Sequence, residues 1–239
     1  VLEPECSICQ DRQYVREDLP PDHPRFGKLT PCSCQFDVVF ERLKKLSRLS
    51  EEMQYWYLDQ FIDREGKLGK VVTGLSMLLE ERAGWATLTG PFGTGKTYLL
   101  AAFANEARLD QRRTVYTTTA DLLADLRATF DPKSKESTSE LFQQVLDAEV
   151  LCIDELEKFR ATDWAMEQFF RLVEHRYRLQ GEAITLWATN KRLTRDGTEV
   201  VMEVGDWEGY LESRMRDGRF EIYDQFWGLS DLRPKLRKG

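Results

Sequence analysis

The sequence predicts an α/β fold, a parallel β-sheet with helices on both faces, carrying a small cysteine-rich module at its front. Three observations predict it. Short apolar or β-branched runs alternate with helix-spaced runs from residue 69 to residue 188. One of these runs leads into Gly90-Pro91-Phe92-Gly93-Thr94-Gly95-Lys96-Thr97, which satisfies G-x-x-x-x-G-K-[ST] at every fixed position. Four of the five cysteines fall within the first 34 residues. A chain of 239 residues is long enough for one sizeable α/β domain with an appendage.

The first division is 1–35. Cys6-Ser7-Ile8-Cys9 and Cys32-Ser33-Cys34 are tight pairs separated by a polar, proline-rich loop. Each pair places two thiolates on one knuckle, and Cys6, Cys9, Cys32 and Cys34 together make a tetrahedral zinc set. Few apolar residues lie between them, so the metal would supply the folding energy. The C-x-C pair is tighter than the usual C-x-x-C. His23 could substitute as a ligand, although an exposed loop histidine is the stronger reading, and free thiols or a redox pair are the competing readings. Four thiolates leave no open position, so the zinc would be structural.

The second division, 36–59, is read as a linker helix. Phe36 to Leu46 has helical apolar spacing with a basic outer face, read as solvated rather than DNA-binding. Tyr55-Trp56-Tyr57-Leu58 with Phe61-Ile62 follows. Core packing suits most of these rings, and stacking on adenine suits one.

The third division, 60–239, carries the sheet. Gly69 to Arg82 reads as an amphipathic helix and Trp85 to Thr89 as a strand. Tyr98 to Ala104 continues as a helix after the glycine loop. Such a loop turns backbone N–H groups inward around the β- and γ-phosphates of a nucleoside triphosphate, at the positive end of a helix. The nucleotide-binding run is Gly90, Pro91, Phe92, Gly93, Thr94, Gly95, Lys96, Thr97 and Tyr98. Lys96 faces the β/γ-phosphates and the Thr97 hydroxyl ligates magnesium.

Beyond it, Thr114 to Thr118 is a β-branched strand and Ala120 to Phe130 a helix. Asp131 to Ser137 is a polar connector. A helix resumes over Thr138 to Asp147, with Thr138 or Ser139 as N-cap. Strand Val150 to Ile153, helix Asp163 to Leu179 and strand Ala183 to Ala188 complete the alternation, and Cys152 is a small hydrophobe in the first of these strands.

That strand ends in Asp154-Glu155. Asp154 at the tip holds magnesium through its water shell, and Glu155 orients and deprotonates the attacking water. Glu157 reads as a helix-start acid. Strand ends of a parallel sheet share an edge, which brings Asn190 near Glu155 and the γ-phosphate. Thr189-Asn190-Lys191 resembles a guanine-reading N-K-x-D, but position 193 is Leu where Asp is required, so adenine is preferred by elimination. Leu211 to Arg219 carries Arg214, Arg216 and Arg219, and one of them is a candidate arginine finger.

A net charge of −7 argues against holding nucleic acid by a bulk field, though not against a local basic stripe. No apolar run approaches the roughly 18 residues of a membrane span and no signal-peptide pattern opens the chain, so the expectation is a cytoplasmic protein without a membrane partner.

These residues resemble the DnaC/IstB-like branch of AAA+ ATPases, the bacterial and phage helicase loaders. The resemblance rests on Gly90 to Thr97, Ile153-Asp154-Glu155-Leu156, Ala188-Thr189-Asn190, Ser213-Arg214-Met215 and Gly228-Leu229-Ser230-Asp231-Leu232-Arg233. It implies an AAA+ core at 60–239 with Asn190 as sensor-1 residue and Arg214 as a finger reaching a neighbour's site. Hydrolysis of ATP would then need a homo-oligomer, a ring or spiral. Only 25 residues follow Arg214 (239 − 214), which implies the absence of a full C-terminal lid, with Arg233 as a substitute for a lid arginine. The cysteine-bearing front resembles a module that docks on the replicative helicase. An insertion facing single-stranded DNA maps onto Thr117 to Thr138, with Lys133 and Lys135 as phosphate contacts or solvated charges. A transposition-regulating ATPase on duplex DNA and a nucleotide-gated zinc adaptor without hydrolysis are the competing expectations.

Overall fold

The structure, a computed structural model, describes residues 6–12, 14–16, 20, 27, 29–31, 43, 46–131, 137–191, 214 and 221–231. The chain divides into two compact units, 1–45 and 46–239.

In the first unit, Cys6 to Arg12 forms a tight turn. Gln10 N donates to Cys6 O at 2.9 Å, Arg12 N to Cys9 O at 3.1 Å, and Cys6 N to Asp11 Oδ1 at 3.0 Å. Strand β1 (Tyr14–Arg16) pairs antiparallel with β2 (Leu29–Pro31), Tyr14 opposite Pro31. The expected ligands Cys32 and Cys34, and the alternative His23, lie outside the described residues. So does most of the helical run 36–46.

The second unit opens differently from the linker helix expected as far as residue 59. Its described stretch contains two 3-10 turns, Met53–Tyr55 and Leu58–Gln60, and Leu49, Met53, Trp56 and Phe61 pack on the core. Helix α1 (Gly69–Glu81) ends at Arg82, which closes it in the left-handed conformation at φ 61°. Then come β3 (Gly84–Thr89), α2 (Lys96–Leu109), β4 (Thr114–Thr118), α3 (Thr119–Ala128), α4 (Thr138–Leu146), β5 (Val150–Asp154), α5 (Asp163–Arg178), β6 (Ile184–Thr189) and β7 (Glu221–Tyr223).

The five strands of this unit's sheet are all parallel, in the order β4-β5-β6-β3-β7. The runs of β5 and β6 are apolar on both faces because helices cover both. Along β5, Val150 and Cys152 join the cluster formed with α1 and α2, and by alternation Leu151 and Ile153 face the other side. On that side Trp187 packs 5.3 Å from Trp85 and 5.8 Å from Phe169 of α5, ring centre to ring centre. Helix α2 is buried from Leu99 to Asn105, which is why it reads as a nearly continuous apolar run.

Caps fix where the helices begin. Thr118 accepts from Asp121 N and starts α3; Thr162 accepts from Ala165 N and starts α5. Helix α4 is capped by Ser137 rather than by the expected Thr138 or Ser139. Ser137 accepts from Glu140 N while Glu140 reaches back to Ser137 N, a complete capping box. Arg176 joins α5 to the sheet from inside the core. Its guanidinium donates to Thr185 Oγ1 at 2.8 Å, Leu146 O at 3.0 Å, Ala148 O at 2.5 Å and Ile184 O at 2.5 Å. Burial pulls its pKa down to about 10, and these four acceptors hold the charge.

Candidate nucleotide site

The shared edge of the parallel strands opens into a cavity of about 680 Å³. The glycine loop forms its floor. Gly93 and Gly95 lie at φ 76° and 96°, conformations that side-chain-bearing residues rarely adopt, and α2 starts at Lys96 immediately behind them. Gly90 is needed for a different reason. A Cβ there would stand 2.3 Å from Phe226 Cβ and 3.2 Å from the Phe226 backbone. Lys96 is 6% exposed and donates to Gly90 O and Pro91 O, each at 2.7 Å. Burial lowers its pKa to about 8, opposed by the charges of Asp154 and Glu157.

Strand order places the acids. Because β6 lies between β3 and β5, the end of β6 sits between the loop and the acidic pair. Asp154, 4% exposed, accepts from Tyr116 Oη at 3.1 Å and from Glu155 N at 2.8 Å, and the Thr97 hydroxyl also donates to it. Burial pushes the Asp154 carboxyl up, and these hydrogen bonds oppose the shift. Thr97 and Asp154 thus bring a hydroxyl and a buried carboxylate together, the hard oxygen donors that magnesium takes.

Glu155 lines the cavity in a left-handed conformation at φ 51°. Asn190 lines it too, but its amide is engaged elsewhere. Its Nδ2 donates to Glu157 Oε1 at 2.6 Å, and Thr189 Oγ1 donates to Glu157 Oε2 at 2.8 Å. Glu157 is therefore not the helix-start acid expected from sequence: α5 begins at Asp163, and the carboxylate instead ties the loop after β5 to the end of β6.

Aromatic residues also line the cavity: Trp56 stacks on Tyr98 with ring centres 4.8 Å apart and planes 19° from parallel, and Phe61 lies 5.5 Å from Tyr98. The Tyr98 hydroxyl donates to Tyr57 O at 3.3 Å. Trp56, Gln60, Phe61, Ile62 and Arg64 all line the cavity. Arg214 is not among the lining residues. It donates to Glu174 Oε1 at 2.8 Å and stands 4.4 Å from the centre of the Tyr177 ring, both on α5.

A second surface lies where the ends of α3 and α5 meet. Arg127 stands 4.9 Å from the centre of the Trp164 ring, and the exposed Phe130 meets the same ring edge-on at 5.5 Å. Lys133 and Lys135 lie outside the described residues.

A parallel sheet in this order, with a glycine loop feeding a buried helix and an acidic strand tip across one inserted strand, defines a P-loop protein of the AAA+ class. Within that class, residues 40–196 match the family described as IstB-like ATP binding protein, and the chain belongs to it. Two curated proteins of Bacillus subtilis (strain 168) are similar. YqaM is 28% identical over 198 residues, 74% of this chain and 61% of that protein. The phage-like element PBSX protein XkdC is 28% identical over 164 residues, 62% of this chain and 59% of that protein. The chain thus spans about three fifths of the length of these relatives.

Solved structures share the fold. The replication initiator DnaA bound to AMPPCP and single-stranded DNA superposes with a TM-score of 0.57 at 22% identity, over 74% of this chain and 51% of that one. DnaI gives 0.55 at 20%, over 74% and 95%. The DnaC helicase loader gives 0.50 at 20%, over 70% and 90%. Among the described residues no helix is long and apolar enough to cross a membrane.

Proposed function

We propose that this chain is a magnesium-dependent ATPase that assembles on single-stranded DNA in the cytoplasm and loads a replicative helicase. The observation that carries the reading is the convergence of Lys96, Thr97, Asp154, Glu155 and Asn190 on one cavity with an aromatic wall. The triphosphate would lie on the glycine loop with Lys96 at the β/γ-phosphates. Thr97 and Asp154 would hold magnesium, which neutralises charge on the phosphates when bound. Glu155 takes a proton from the attacking water, and Asn190 Oδ1 orients that water.

Arg214 rests on the outer helix α5 rather than in its own cavity, which favours a role in a neighbouring subunit's site and so a homo-oligomer. The Arg127, Trp164 and Phe130 cluster combines a cation with the exposed Phe130 ring beside a half-buried indole, the chemistry that holds single-stranded DNA without reading sequence. Cys6, Cys9, Cys32 and Cys34 would hold a structural zinc in the module that docks on the helicase. The turn at Cys6 to Cys9 supports this for the first pair; among the described residues no metal-binding cluster of three or more such groups is formed.

Membership in the IstB-like family favours one second reading, the transposition-regulating ATPase on duplex DNA that the resemblance implies. The test combines Glu155→Gln with electron microscopy. The variant should bind ATP and assemble on single-stranded DNA while phosphate release falls to background. Retained turnover overturns the catalytic assignment, and filaments formed only on duplex DNA favour the second reading.

A further inference from the structure

The cavity holds a second lysine that the glycine loop does not account for. Lys158 Nζ donates to Glu155 Oε1 at 2.5 Å and stands 5.2 Å from the centre of the Phe92 ring. All three residues line the cavity alongside Lys96, Thr97 and Asn190. The backbone brings the pair together. Glu155 is left-handed, and Lys158 N donates to Glu155 O at 2.8 Å, so a tight turn folds the lysine back over the acid. Phe92, 58% exposed, lies on the loop and offers its ring face to the ammonium.

This arrangement sets up a competition. A carboxylate oxygen and a phosphate oxygen are equivalent partners for an ammonium, and the phosphate carries more charge. The hydrogen bond from Lys158 raises its pKa, so the side chain is charged throughout the neutral range. Lys96 is committed to the loop carbonyls of Gly90 and Pro91, whereas Lys158 rests on the very carboxylate that the proposed reaction needs as a base.

Building on the ATPase reading, we propose that Lys158 senses the terminal phosphate of a nucleoside triphosphate. With the site empty or holding a diphosphate, Lys158 stays on Glu155 and the base is blocked. A γ-phosphate takes over the ammonium, and the Glu155 carboxylate is uncovered towards the cavity. Lys158 is a phosphate contact in one state and a positioning residue for Glu155 in the other.

The test measures affinities of the full chain for magnesium-ATPγS and magnesium-ADP by fluorescence competition, in wild type, Lys158→Met, Lys158→Arg, Glu155→Gln and the Lys158→Met/Glu155→Gln double variant. Methionine keeps an unbranched stem against Phe92 and deletes the charge. Lys158→Met should weaken ATPγS about tenfold while changing ADP less than twofold, and Lys158→Arg should restore most of the preference. Glu155→Gln should tighten ATPγS when Lys158 is present and leave it unchanged in the double variant. A merely electrostatic effect of the acid would tighten ATPγS in both backgrounds and overturns the assignment. So does a Lys158→Met variant that keeps the wild-type preference for ATPγS. Wild type that binds neither nucleotide overturns the underlying ATPase reading as well.

Discussion

Glu157 is the residue whose removal most directly tests how the site is organised. Its carboxylate accepts from Asn190 Nδ2 at 2.6 Å, from Thr189 Oγ1 at 2.8 Å and from Asn190 N at 3.3 Å. A hydrogen bond to a charged acceptor is worth about 1.5–3 kcal/mol. Set against two other staggered side-chain wells of similar energy, that holds the Asn190 amide in one orientation about 85–99% of the time. In Glu157→Ala the preference disappears and the occupancy falls to about one third. The population effect slows hydrolysis about threefold. ATP affinity should stay within twofold of wild type, because the loop and both hydrogen bonds of Lys96 to it remain and Asp154 still supports the Lys96 charge. The assay is phosphate release under single-turnover conditions in Glu157→Ala, Asn190→Ala and the double variant. If Glu157 acts through Asn190, the double variant is as slow as Asn190→Ala alone. Rate losses that multiply in the double variant would refute the reasoning.

Two further outcomes follow from the geometry. Phe130→Ala should weaken binding of an oligo-dT strand by about 1–3 kcal/mol, the range for one base–aromatic stack, without changing ATP affinity; fluorescence anisotropy with wild-type affinity would remove Phe130 from the proposed DNA surface. Arg176→Met should lower stability to urea by about 3 kcal/mol, because it strands buried acceptors at Leu146, Ala148, Ile184 and Thr185; a loss below about 1 kcal/mol would show that water or a shifted backbone satisfies them.

The sheet was legible in the sequence wherever a strand is buried on both faces. Val150 to Ile153 is an unbroken apolar run and Ile184 to Ala188 is interrupted only by Thr185, because helices cover them on both sides, and the glycine loop announces the strand before it. Strand β7 escaped because three residues, Glu221 to Tyr223, at the edge beside β3 are too few to show alternation. The cap of α4 is ambiguous in the sequence: Ser137 and Glu140 have the spacing of a capping box, but Thr138 and Ser139 offer the same N-cap hydroxyl chemistry beside it.

The site divides the same way. Residues placed by local chain order, Lys96, Thr97, Asp154 and Glu155, could be read directly. Partners placed by strand order could not. Tyr116 reaches Asp154 across 38 positions and Glu157 reaches Asn190 across 33, so no local spacing connects them.

A consequence of the strand order concerns the chain after β7. Since β7 pairs with β3 at the edge of the sheet, the segment that follows it runs beside the glycine loop. A Cβ at Gly90 would collide with Phe226, and a Cβ at Gly93 would come within 2.0 Å of Asp231 Oδ1. Trp227 Nε1 donates to Thr89 Oγ1 at 3.3 Å, and Ser230 N and Oγ donate to Glu65 Oε1 at 2.9 and 2.7 Å. These hydrogen bonds from Ser230 hold the Glu65 carboxyl down near pKa 2. The glycines of the loop are therefore constrained from two directions, by the turn that exposes their N–H groups and by the late segment packed behind them. Because Glu65 follows Arg64 of the cavity wall, one short segment touches both the phosphate loop and the chain lining the aromatic side. Movement of the loop on binding a phosphate would have to be accommodated by Phe226 and Asp231, the side chains that stand against Gly90 and Gly93.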